Sequence, residues 1–310
     1  MNAGELRLLI VVNPNASRAA EMLPTLSEWC ARRGDIQLKV TRDKTELETI
    51  LDKDGGDAER IAIGGGDGSL SHALPQLLKL KKPVAVLPLG TANDLARTLG
   101  LSTDPLTALE TALTGHPHQI DVGLANGRPF LNVASVGAAS KLMAAQSPEL
   151  KKKWRVLAYA IGFLRSLRHI QPFFVELDID DCPTWSGAVY QVSVGNGRHH
   201  GGGLTVAEDA AIDDGKLDLY IVYPGTFWQL LACLTHLRFG LMRPSVLDRH
   251  TATRVRIRTP KPRPVNADGG LATTTPVEFS LLTKALTIMI PKDLPSTPPG
   301  LSALKQAETA

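Results

Sequence analysis

With 310 residues, 43% of them hydrophobic and 21% charged, the chain is long enough for two domains with real cores and too ordinary in composition for a disordered or fibrous protein. A net charge of +3, without a long Lys/Arg block or interleaved aromatics, speaks against a nucleic-acid partner. Cys30, Cys182 and Cys233 are odd in number, far apart and lack C-x-x-C spacing, which argues against a disulfide framework or a zinc site and fits a reducing cytoplasm. The N-terminal residues do not read as a signal peptide. The longest apolar stretches are broken by Arg165, Arg168, His236 and Arg238, so membrane contact is expected to be peripheral.

The first third alternates β-branched runs with helical patterns, as a parallel sheet covered by helices requires. Leu8 to Val12, Ile36 to Val40, Ile61 to Ile63 and Val84 to Leu87 read as strands buried on both faces, with helices following near Ala19, Lys44, Leu70 and Leu95. After about Ile120 the texture turns to β. Asn126-Gly127 predicts a hairpin between Val122 to Leu124 and Phe130 to Val133. In Thr253 to Thr259, Arg254, Arg256 and Arg258 alternate with Val255 and Ile257, the pattern of an antiparallel strand with one basic, solvated face. Helical patterns over Leu150 to Ile170 and Thr226 to Leu241 interrupt the β region, and the tail from Pro295 is polar with little predicted structure. The expected division is an α/β domain over 1–121 and a mostly antiparallel β domain over 122–294, with the 295–310 tail free to pack back on the first.

The chemistry gathers where the third and fourth strands end, the edge at which open parallel sheets bind ligands. Ile61 to Ile63 runs into Gly64-Gly65-Gly66-Asp67-Gly68-Ser69 and then a helix, so glycines and a helix N-terminus together make phosphate the expected guest. A carboxylate would repel phosphate directly; Asp67 makes sense holding a metal through water or accepting a hydrogen bond. A plain glycine-rich turn with a capping aspartate is the structural alternative. One strand on, Pro88-Leu89-Gly90-Thr91-Ala92-Asn93-Asp94 precedes another helix. Thr91 and Asp94 have capping-box spacing, which leaves Gly90 and Asn93 for a second wall of a nucleotide cleft. Asn13-Pro14 after the first strand is either a turn or a third contributor to that cleft.

Four separated motifs, Asn13-Pro14, GGGDGS at 64–69, PLGTANDLAR at 88–97, and GNGRHHGGG at 195–203 with DDGKLDL at 213–219, closely resemble the catalytic domain of bacterial diacylglycerol kinases, sphingosine kinases and related lipid kinases. The resemblance spans nearly the whole chain. It implies an α/β nucleotide-binding domain of the NAD kinase and diacylglycerol kinase type followed by a β-sandwich, with the active site between them. By the same resemblance Thr41, the Gly64 to Ser69 loop and Thr91 contact ATP, and Asp67 sits near the transferred phosphoryl group and its Mg2+. A further cation, Mg2+ or Ca2+, is implied on the carbonyls of Ala211 and Lys216 and the carboxylate of Asp214; spacing alone reads Asp214-Gly215 as a hairpin turn. His199 and His200, adjacent on an extended segment, point in opposite directions and read as loop residues near the cleft rather than as ligands.

At Asn266-Ala267-Asp268-Gly269-Gly270 the sequence departs from the family, which usually has Asp-Gly-Glu here and assigns acid–base work to it. Gly270 replaces the glutamate, and Asp268 becomes the expected base. The acceptor expected from the resemblance is a hydroxyl of diacylglycerol or a related membrane lipid. Lys151-Lys152-Lys153-Trp154-Arg155 before Leu157, Ile161, Leu164 and Leu167 reads either as an interfacial helix or as core packing, and Phe227, Leu230, Leu231, Leu234 and Leu237 pose the same choice. A homodimer is left open. The competing functions are a soluble-metabolite kinase, suggested by GGDG alone, and a nucleotide- or lipid-binding protein that has lost turnover, suggested by Gly270.

Overall fold

The computed structural model describes residues 6–33, 35–137, 171–197, 199–200, 204–205, 211–226, 228–230, 232–233, 236 and 244–292. The expected helix at Leu150 to Ile170, its lysine run and the 295–310 tail lie outside these residues, as does most of Thr226 to Leu241, whose described part is helical at 228–230 and 232–233. The first region runs β1 (Leu8–Val12), α1 (Ala19–Ala31), β2 (Ile36–Val40), α2 (Lys44–Asp54), β3 (Arg60–Gly65), α3 (Asp67–Leu80), β4 (Val84–Pro88), α4 (Asp94–Thr98) and α5 (Pro105–Thr114). The second runs β5 (His116–Ala125), β6 (Arg128–Phe130), β7 (Val133–Gly137), β8 (Phe173–Ile179), β9 (Trp185–Val189), β10 (Gln191–Gly195), β11 (His199–His200) and β12 (Leu204–Thr205), then β13 (Leu217–Val222), β14 (Leu247–Ala252), β15 (Val255–Arg258), β16 (Pro264–Ala267), β17 (Gly270–Thr274) and β18 (Val277–Ile290).

β1 to β4 pair in parallel in the order β2-β1-β3-β4, with β1 and β4 wholly buried. β2 departs from the expected double burial: it is the edge strand, and its Gln37 and Val40 are exposed. Asn126 and Gly127 both have positive φ, 49° and 78°, as the twist of the predicted two-residue hairpin requires. Val255 and Ile257 on β15 are buried, while Arg256 and Arg258 face out to Glu278 and to Glu176 and Asp178.

β18 joins the two regions. Its first half pairs antiparallel with β15, and its second half runs parallel to β4 at Ile288, so Leu286, Ile288 and Ile290 pack in the same core as Val11, Ile63 and Val86. Opposite the β15, β8 and β18 layer lies a six-stranded antiparallel sheet, β14-β13-β10-β7-β16-β17. Phe130, Val175, Val194, Val265 and Phe279 fill the space between as one apolar core. His199 and His200 are not in a loop: as β11 they pair with Leu204 and Thr205, and β11 lies beside α4.

Candidate active site

At the carboxyl ends of β1, β3 and β4 a cleft of about 340 Å³ opens, lined by Asn13, Thr41, Gly66, Gly68, Ser69 and Gly90. Asn15, Ala16, Asp43, Leu47 and His72 extend it, with His72 Nε2 held 3.0 Å from Glu48. Its volume is within the range of small-ligand sites. Asn13 serves both of its expected roles, since its Oδ1 accepts from the Asn15 amide in a turn while its Nδ2 donates to Ser69 Oγ across the cleft floor. Thr41 is 3% exposed and donates to Val12 O at 3.4 Å.

The glycines divide by role. Gly64 and Gly65 complete β3 and lie in the sheet, where a Cβ would strike Val12 Cγ2 at 2.9 Å or Ser69 Oγ. A Cβ on Gly90 would meet Gly66 Cα, so the two loops touch backbone to backbone. Only at Gly68, within this loop, would a Cβ meet nothing, because this glycine faces the open cleft. α3 begins at Asp67, and its N-cap, Gly66, offers no side-chain cap, which leaves the positive end of the helix available to an anion.

The expected capping box at Thr91 is not formed. α4 starts from Asn93, in the left-handed conformation at φ 51°, and the Leu95 amide donates to Asp67 Oδ1 at 3.1 Å. Asp67 therefore caps the helix of the second loop from the first, a partnership across 28 residues that local spacing could not show. Asn93 is 8% exposed and spends its amide on Gly90 N, Gly90 O and Pro88 O; it shapes the loop and does not line the cleft. Thr91 is exposed and donates to Ser17 Oγ, likewise outside the lining.

From the sandwich side comes Asp268. Asp268 and Gly269, with φ 45° and 85°, form the two-residue turn between β16 and β17. The Asp268 carboxylate accepts from the Leu131 amide at 2.7 Å on Oδ2, and from Asn132 and Val133 at 2.8 and 3.2 Å on Oδ1. The residue is half-buried, with its carboxyl group among densely packed neighbours. Burial pushes its pKa up to about 6 against the pull of the three N–H donors, and the charge of Asp67 adds to the rise. Asp67 of the first region and Asp268 of the second are thus near enough for one charge to act on the other, while neither is among the residues that line the cleft. Gly270 is exposed and a Cβ there would approach only Ala267 O, at 3.8 Å, so the position is empty rather than filled by another group.

The Ala211 to Lys216 turn lies on β5. Asp214 Oδ1 accepts from the Lys216 amide at 2.9 Å, and burial, followed by the charges of Asp218 and Asp121, raises its pKa to about 6. Asp121 had no sequence signal, yet it is 2% exposed and ties the Gly215 and Lys284 amides, each at 2.7 Å. Beside it His118 Nε2 meets Asp213 at 3.0 Å. Asn196 was legible only as part of a motif, and it binds the carbonyls of Asp121 and Leu131.

Residues 7–125 match the diacylglycerol kinase catalytic domain, and residues 133–290 match the YegS C-terminal NAD kinase beta sandwich-like domain. With the glycine-walled cleft, these two matches define a two-domain kinase. A "Probable lipid kinase YegS-like" protein of Pseudomonas fluorescens (strain Pf0-1) is 33% identical over 265 residues, 81% of this chain and 86% of that protein. Its namesake in Shewanella frigidimarina (strain NCIMB 400) is 32% identical over 271 residues, 84% and 86% of the two chains. The crystal structure of a diacylglycerol kinase from Bacillus anthracis str. Sterne shares the fold, with a TM-score of 0.70 at 22% identity over 94% of this chain and 99% of that one. The chain belongs to the YegS-like lipid kinase family.

Proposed function

We propose that the chain transfers the γ-phosphoryl group of ATP to a hydroxyl of a membrane lipid of the diacylglycerol class. The observation that carries the reading is the glycine-walled cleft at the open N-terminus of α3, with Asp67 in the first turn of that helix and Asp268, on the sandwich hairpin, within reach of its charge. The cleft beside them takes the nucleotide, its phosphates directed at α3 and Gly68. Three of the four lone-pair sites of the Asp268 carboxylate are filled by amides, so one on Oδ2 is left to accept the hydroxyl proton. The lipid oxygen then forms a bond to the γ-phosphorus, and the bond from that phosphorus to the bridging oxygen breaks. ADP leaves with the electron pair, and the proton stays on Asp268. A pKa of about 6 suits a base that works near neutrality.

A divalent cation fits the donor set. Asp67 has Oδ2 left over after bonding Leu95, and a cation on it supplies neutralisation of phosphate charge when bound. On the sandwich, Asp214 with the carbonyls of Ala211 and Lys216 offers hard oxygens in a field made negative by Asp121 and Asp218, which suits Mg2+ or Ca2+. Among the described residues no three His, Cys, Asp or Glu side chains form a metal centre, so water would complete the shell there. Among the same residues no helix is long and apolar enough to cross a membrane. The proposed setting is peripheral, at the cytoplasmic face of the bilayer.

The test is transfer of labelled γ-phosphate with Mg2+ into a panel of hydroxyl lipids in mixed micelles, comparing the wild type with Asp67→Asn and Asp268→Asn. Labelled lipid that disappears in both variants is the expected result. Label in a soluble acceptor would replace the lipid reading with a metabolite kinase. ATP binding without any transfer would favour the binding-protein reading that Gly270 raises.

A further inference from the structure

We infer that Asn196 is a positioning residue for Asp268: it fixes the 131–133 backbone so that three amides converge on the carboxylate. The inference rests on Asp268 being the base. Asn196 Nδ2 donates to Leu131 O at 3.0 Å and to Asp121 O at 2.9 Å, and its own amide donates to Asn132 O at 2.8 Å. The residues whose carbonyls it holds, Leu131 and Asn132, donate their N–H groups to Asp268 Oδ2 and Oδ1. The Leu131 carbonyl shares its peptide unit with the Asn132 amide, and the Asn132 carbonyl with the Val133 amide, so each unit is gripped on its carbonyl by Asn196 and presents its N–H to Asp268 Oδ1. The third amide, Leu131, which donates to Oδ2, belongs to the peptide unit of Phe130, a residue of β6 that pairs with Gly123 of β5.

The amide orientation of Asn196 is set by its surroundings. Both acceptors of its Nδ2 are backbone carbonyls, so the NH2 end must face them and Oδ1 must face away. Among the described residues neither that buried oxygen nor Asn132 Oδ1 has a hydrogen-bond partner; the two residues are 1% and 4% exposed. The position also couples the regions, because the next residue, Gly197, packs against Thr98 of α4. This accounts for the asparagine of the GNGRHHGGG motif, which ATP contact and metal binding leave without a task.

Asn196→Leu keeps the branched shape and Asn196→Ala shortens it, so an effect common to both reports the lost donors. Hydrogen exchange at the Leu131, Asn132 and Val133 amides, read by NMR, is expected to accelerate at least tenfold in both. In lipid phosphorylation kcat is expected to fall at least tenfold with KM for ATP unchanged. Direction is read in Asp268→Ala, which retains Asn196: the Asn196 side-chain NH2 protons are expected to stay protected, showing that the loop stands without the carboxylate. Unchanged amide exchange in the Asn196 variants would overturn the inference, as would an unchanged kcat, or loss of NH2 protection in Asp268→Ala. If both Asn196 variants fail to fold, the Asp268→Ala result decides. Absence of turnover in the wild type would instead remove the kinase reading and leave the exchange measurements to stand alone.

Discussion

The nucleotide side and the acceptor side of the site are built in opposite ways. The first is local: strand, glycine loop and helix follow each other within 60–80, and the second loop repeats the device at 84–98. The acceptor side draws on Asp268 from a hairpin, on residues 131–133 from the link between β6 and β7, and on Asn196 from the end of β10, held together by hydrogen bonds spanning up to 137 residues. A local device tolerates changes at its neighbours and is sensitive at its backbone contacts. A dispersed one depends on each member keeping the others in place.

The largest expected effect comes from the dispersed side. Asp268→Asn removes the base, and kcat for lipid phosphorylation should drop by about 10²- to 10⁴-fold, measured by labelled phosphate transfer. The pH profile carries the sign. Only the ionised carboxylate accepts a proton, so wild-type activity should be full above the raised pKa and fall as pH drops through about 6. A limb near the ordinary carboxylate value would mean that Asp268 is not the titrating base.

On the local side, Gly90→Ala forces a Cβ against Gly66 Cα and Asn93 Oδ1, at 2.4 and 2.7 Å. Overpacking of this kind costs roughly 1–3 kcal/mol, which thermal or denaturant unfolding will show together with weakened ATP binding. A smaller effect tests the oxygen site at Asp214. Saturation with Mg2+ or Ca2+ at about ten times its Kd should stabilise the wild type by about 1.4 kcal/mol and leave Asp214→Asn unmoved. Equal shifts in both would place any cation elsewhere.

The contrast also explains what the sequence made legible. β1 to β4, the helices after them and the glycine loops could be read because hydrophobic period and glycine placement are local signals, and Leu8–Val12 and Ile36–Val40 fall at their expected bounds. The capping of α4 was misread because Asp67 reaches it from another loop. The role of Asp121 was invisible because a buried aspartate whose partners are amides at 215 and 284 leaves no pattern in its own neighbourhood. β18 carries no mark of its dual role, since one run of apolar residues within a single sheet serves both cores. The Asp-Gly pair at 268 forms the left-handed turn that spacing had suggested for Asp214-Gly215, where Gly215 alone has positive φ, at 71°.

Two glycines of the site, one on each side, make the finest test. Gly68→Ala adds a methyl where nothing stands within 4 Å and should raise helix stability by up to about 0.5–1 kcal/mol while weakening ATP binding, because the methyl enters the cleft. Gly270→Glu should fold within about 0.5 kcal/mol of the wild type, as exposed substitutions do. It lies outside the left-handed region, and the nearest atom to its new Cβ is Ala267 O at 3.8 Å. Stability being nearly unchanged, kcat becomes the informative quantity. A severalfold gain would show that the acceptor side lacks a carboxylate its geometry still accommodates. An unchanged kcat, with Asp268→Asn inactive, would show that the base and its amide-lined seat suffice for the transfer.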